Sequence, residues 1–91
     1  MTLHEAIDSL RRYVDHGVPV GGFLEAVISN DLFGAMGRAD DSSRANLFAI
    51  CSFVYNDMPG VCWGSPAKVT AWLNAKRAER QHARDREAVQ P

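Results

Sequence analysis

The 91-residue chain has little cysteine, no long apolar run and no large excess of either charge. Each shortage excludes something. Its two cysteines, Cys51 and Cys62, are too few for a disulfide framework, and no zinc-ligand spacing accompanies them. No apolar run reaches the roughly 18 residues that a membrane span requires. The opening "MTLHEAIDSL" carries acids where a secretory signal carries bases. Together these features predict a soluble, cytoplasmic protein without a membrane role. The formal net charge is −1, whereas a nucleic-acid module usually shows a large positive excess on its folded body. Residues 1–57 hold four basic and eight acidic side chains, and residues 58–91 hold six and three. Positive charge therefore gathers on the last element alone, which makes nucleic acid an unfavoured partner.

Catalytic groupings are equally sparse. His4, His16 and His82 fall in different elements and lack the spacing of metal ligands. The acids Asp40 and Asp41 stand at a helix start, where capping accounts for them without general acid–base work. "GVPVGG" has the glycines of a phosphate loop but no preceding strand and no following Lys-Ser/Thr. Cys62 has no adjacent base to lower its pKa, and Cys51 sits in an apolar pattern as a small hydrophobe would. The expectation is a protein that is not an enzyme and takes no metal or cofactor.

Helical periodicity is what the chain does have. A 46% hydrophobic content suits one domain, and a chain this short buries only about 60–65% of its unfolded surface. Self-association is a natural supplement. In the first element Leu3, Ala6, Ile7, Leu10, Tyr13 and Val14 share one helical face. Thr2 with Glu5 has the form of a capping box, and Gly17 stands where a left-handed C-cap is wanted. After "VPVGG", the apolar "FLEAVISN" predicts a short buried helix, with a strand as the alternative. Asn30-Asp31 offers a stop and a restart into "LFGAMG", since Asn tolerates the left-handed conformation and Asp is a good N-cap.

The longest body helix is expected over residues 40–58, capped by Asp40, Asp41 or Ser42. Its core stripe reads Leu47, Ile50, Cys51, Val54, Tyr55 and Met58, widened by Phe48. Phe53 lies off that stripe, among Asn46, Asn56 and Asp57, and is the expected interface residue. "YNDMPGVCWGSP" then reads as a joint: Pro59-Gly60 ends one helix, and Ser65-Pro66 starts the next as N-cap and first helical residue. The last helix has an apolar stripe only at Val69, Trp72 and Leu73, so it should leave the core beyond about residue 75 and run solvated. Alanines 67, 71, 75 and 78 supply propensity or a close-approach ridge. The predicted fold is an all-α compact bundle of four main helices, the second short and open to a break. A single domain spans residues 1–84, and residues 85–91 form a frayed, charged tail.

Asn30, Asp31, Arg38, Asn56 and Trp63 fall at or near element ends, where they can line a shared crevice. Asn and Trp suit a flat heterocycle and Arg a phosphate, so a nucleotide-like ligand or a partner loop is one reading. Capping and backbone hydrogen bonds are the other. A helix-turn-helix over residues 22–38 would offer only Arg38 to read bases. The basic stretch with Lys76, Arg77, Arg80, Arg84 and Arg86 is interrupted by acids, as a solvated helix with local ion pairs would be.

The strings "GVPVGGFLEAVISNDL", "GRAD", "FVYNDMP" and "CWGSPAKVTAW", within residues 17–72, resemble a group of small uncharacterised proteins encoded by tailed phages and prophages. The first helix and the charged tail fall outside the resemblance. It implies action in a bacterial cytoplasm as an accessory factor that binds a host protein, in host takeover or counter-defence. Sequestration of a signalling nucleotide is the alternative it implies, and weak nucleic-acid-binding regulation is a third reading, from the basic last helix.

Overall fold

The computed structural model describes residues 1–89, and among them all regular secondary structure is helical, with no strand. α1 spans Leu3–His16, α2 Gly22–Ile28, α3 Leu32–Arg38, α4 Asp41–Ala45, α5 Leu47–Asp57 and α6 Pro66–Val89. A short 3₁₀ turn, Gly60–Cys62, precedes α6.

α1 follows its sequence signals closely. The Thr2 hydroxyl accepts from the Glu5 N–H, and the Glu5 carboxylate accepts from the Thr2 N–H, both at 3.1 Å. Gly17 closes the helix at φ 66°, with its N–H on the Tyr13 carbonyl and the Val18 N–H on the Arg12 carbonyl. A side chain at Gly17 would also collide with Lys76 of α6, so the glycine permits a close crossing as well as a turn.

Six helices stand where four were expected, because two predicted elements are broken. The break at Asn30-Asp31 is present: Asn30 is left-handed at φ 63°, and Asp31 caps α3 by accepting from the Gly34 N–H. The single helix expected over 40–58 is instead divided at Asn46, which separates α4 from α5. The Asn46 side-chain amide donates back to the Ser42 carbonyl at 3.0 Å, a local bond that competes with regular helix geometry.

The rotation of α5 is the larger correction. Ile50 and Val54 are buried as predicted, and Met58 just beyond the helix is also in the core. Phe48, Cys51 and Tyr55, expected on the core stripe, are exposed. Phe53, expected to stand apart, is half-buried against the core, with the Arg11 guanidinium 5.8 Å from its ring centre. The helix has turned so that the 50–53–54 edge faces inward. An element apolar on most of its circumference leaves this rotation to its neighbours.

Around that edge the core closes with Ala6, Leu10 and Tyr13 of α1, Leu24 and Ile28 of α2, and Val69 of α6. The joint is fastened to it at several atoms. The Cys62 carbonyl accepts from the Tyr13 hydroxyl at 2.7 Å, and the Gly64 N–H donates to Ile28 at 2.7 Å. Trp63 donates its indole N–H to the Met58 carbonyl at 3.3 Å, and Ser65 caps α6 by accepting from the Lys68 N–H. Among the described residues, no buried side-chain nitrogen or oxygen lacks a hydrogen-bond partner.

α6 has 24 residues, about 36 Å at 1.5 Å per residue. It remains attached past residue 75. Lys76 packs against Gly17 at the end of α1, and Arg80 donates to the His16 carbonyl at 2.7 Å, satisfying the end of α1. Residues 77–85 are otherwise exposed. The frayed tail placed at 85–91 ends on Gln90 and Pro91, which lie outside the described residues, and α6 is helical through Val89.

Candidate interaction surface

The polar residues singled out in the sequence are engaged mainly with their own backbone. Asn56 donates to the Ser52 carbonyl at 2.8 Å on its own helix. Asp31 caps α3 and lies 4.0 Å from Arg38. Asn30 turns the chain, and Trp63 is half-buried with its N–H used. The fold does bring the joint to the α2–α3 corner, through the Gly64–Ile28 bond. A cleft of about 290 Å³ there holds Arg38, Asp31, Glu25, Ser29 and Pro66. Its single cation faces two carboxylates, which opposes a phosphate in this cleft.

A different surface stands out. Phe33 is 82% exposed, Phe48 85% and Tyr55 74%, with Leu32 and Met36 more than half exposed. Leu32, Phe33 and Met36 belong to α3, a two-turn helix that buries little beyond Ala35. Phe33, two residues before Ala35, projects from the opposite side of the helix. Phe48 and Tyr55 are seven positions apart, nearly two turns, and share the face of α5 that points away from the buried Ile50 and Val54. Between α3 and α5 runs a shallow, mainly apolar groove of about 90 Å³, lined by Leu32, Ala35, Leu47 and Cys51. Leu32 of α3 and Cys51 of α5 therefore share one groove, with Phe33 on the far side of α3 from it.

Lone exposed apolar residues are ordinary. Five large ones on two adjoining helices are not. Taking about 150–250 Å² for each whole aromatic side chain and somewhat less for Leu and Met, they display about 600 Å², the upper end of what a typical monomer leaves open. Tyr55 is further ordered by Trp63, whose ring centre lies 6.1 Å away at a tilt of 58°. Cys51 on the groove wall is a free thiol whose partial burial raises its pKa, which makes it a weak nucleophile.

Sequence reasoning missed this surface by assigning Phe48, Cys51 and Tyr55 to the core. A signal was present. "LFAICSFVYN" contains no charge, so no polar face marks its outside, and Leu32, Phe33 and Met36, at i, i+1 and i+4, form an apolar side of α3 about 100° wide. Among the described residues, no group of three or more His, Cys, Asp or Glu is placed to hold a metal, and no helix is long and apolar enough to cross a membrane. No family model, curated protein or solved structure matches the chain.

Proposed function

We propose that the chain is a non-enzymatic binding protein, a small phage or prophage accessory factor of the bacterial cytoplasm, and that it engages a host protein through the exposed apolar side chains of α3 and α5, with the outer side of α3 as the host-facing part. The observation that carries this reading is the display of Phe33, Phe48 and Tyr55 outside a core that closes without them. Buried aromatic anchors supply much of the energy of protein–protein contacts. Phe33 is the anchor assigned to the host partner, because it stands exposed on the side of α3 opposite the buried Ala35.

The test is affinity capture from bacterial lysate and identification of the captured protein. That protein is then purified and titrated calorimetrically against the wild-type chain and Phe33→Asp. Saturable binding that weakens at least about tenfold in Phe33→Asp, with unchanged circular dichroism, is the expected result. An affinity indifferent to Phe33 overturns the assignment. Stabilisation by a signalling nucleotide, lost in Arg38→Ala, would replace it with the ligand-sequestration reading. DNA binding that collapses with salt and with loss of Arg77 and Arg84 would replace it with the regulatory one.

A further inference from the structure

The exposed stripe of α5 is built to meet its own image. Phe48 and Tyr55 mark its two ends, and Cys51 and Ser52 lie midway between them. From Leu47 to Asn56 the helix carries no charged side chain, so two copies can approach without like-charge repulsion along the contact. Isologous contact requires one patch that is complementary to itself under a half-turn. This stripe has that form.

We infer that a second copy of the chain covers the stripe, with the two α5 helices antiparallel about a twofold axis passing between Cys51 and Ser52. The half-turn sets Phe48 level with Tyr55 of the second copy, and Tyr55 level with its Phe48. Cys51 projects toward the α3 side of the stripe, where it lines the groove with Leu32 and Ala35. A half-turn about an axis perpendicular to both helices preserves that side, so the two Cys51 residues face each other. Helices packed about 8–10 Å apart bring such a pair near the Cα separation of roughly 4.4–6.8 Å that a disulfide spans.

The area agrees with a second copy as occupant. Phe48 and Tyr55, with Leu32 and Met36 of the adjoining α3, offer about 450 Å² of apolar side chain from each copy. A polar rim of Arg44, Ser52 and Asn56 brings the footprint toward the roughly 800 Å² per partner of a stable complex. The inference rests on the reading of the exposed apolar side chains of α3 and α5 as protein-binding. It assigns the α5 half to self-association and leaves Phe33, on the far side of α3, to the host protein.

Sedimentation equilibrium of the full chain, with copper-catalysed oxidation and peptide mapping, tests the arrangement. The expected mass is twice the 10.0 kDa of the chain. Oxidation should yield a Cys51–Cys51 disulfide dimer that is absent in Cys51→Ser. Phe48→Asp and Tyr55→Asp should weaken dimerisation at least about thirtyfold with unchanged circular dichroism. If either variant fails to fold, the wild-type crosslink still decides. A monomer mass at every concentration overturns the twofold, as does a dimer that ignores both substitutions or forms no Cys51 crosslink. A monomer that still binds the host protein through Phe33 overturns the twofold alone, and a Cys51-linked dimer without host binding overturns only the host assignment.

Discussion

The phenol of Tyr13 donates a 2.7 Å hydrogen bond to the carbonyl of Cys62, joining the last turn of the first helix to the joint ahead of the last. The Tyr13 carbonyl accepts in turn from the Trp72 indole at 3.1 Å, so one residue ties α1 to both the joint and α6. Both partners of the phenol bond are buried.

Tyr13→Phe is expected to cost about 1–3 kcal/mol, because it leaves a buried carbonyl without its donor. Urea denaturation at neutral pH measures this. Burial also holds the Tyr13 pKa above its ordinary 10.0. The folded state thus favours the neutral phenol, and that stabilisation is complete below pH 10 and lost as pH rises further. Stability of the wild type should fall above pH 10, and Tyr13→Phe should flatten that decline.

Gly17→Ala should destabilise by about 2 kcal/mol or more, since it combines a left-handed backbone with a collision against Lys76. Gly37 of α3 is the control. An added methyl there meets nothing within 4 Å, and φ is ordinary for a helix. Gly37→Ala should leave stability unchanged or raise it by up to about 1 kcal/mol, a difference thermal melts will resolve.

Asp40 caps α4 by accepting from the Ser43 N–H at 2.7 Å, and its carboxylate lies 2.9 Å from the Met1 amino group. The Ser43 bond, followed by the amino group, holds its pKa well below the ordinary carboxylate value. Its contribution is therefore present above the unfolded value near 3.8 and is lost as pH falls below it. Asp40→Asn should lower the melting temperature at pH 7 and narrow the gap from wild type in strong acid.

Phe53 and Phe48 should respond oppositely to the same change. Phe53→Asp places a carboxylate against the core and removes the ring beneath Arg11, at an expected cost of about 2–4 kcal/mol. Phe48→Asp alters an exposed site and should stay within about 0.5 kcal/mol in dilute solution, where self-association does not contribute. Denaturant melts at matched low concentration check both.

In the same dilute regime, the two thiols should separate by reactivity. Cys51 is exposed, whereas Cys62 is 0% exposed and its thiol donates to the Pro59 carbonyl at 3.0 Å. Burial raises the Cys62 pKa further from reactivity. A thiol reagent should modify Cys51 in the native protein and reach Cys62 only at the rate of unfolding.

Much of the frame was legible in the sequence because it depends on neighbours in the chain. The capping box of Thr2 and Glu5, the left-handed Gly17 and Asn30, and the Ser65-Pro66 start of α6 are local backbone solutions, and each is where its residue type demands. The binding surface was harder to read. Asn30, Asp31 and Asn56 are polar groups at or near element ends, which suggests a site, but here Asn30 supplies a left-handed turn while Asp31 and Asn56 bond to backbone.

The sequence by itself determined an all-helical chain, most of its stops and starts, and the apolar character of α5, since these follow from 3.6-residue spacing and from residues that satisfy free backbone groups nearby. Only the tertiary structure decided which way α5 faces, that Phe53 goes under Arg11 while Phe48 and Tyr55 stay outside, and that α6 holds to α1 through Lys76 and Arg80. A helix apolar around most of its circumference has several nearly equivalent inward faces, and the shapes of the helices packed against it select among them.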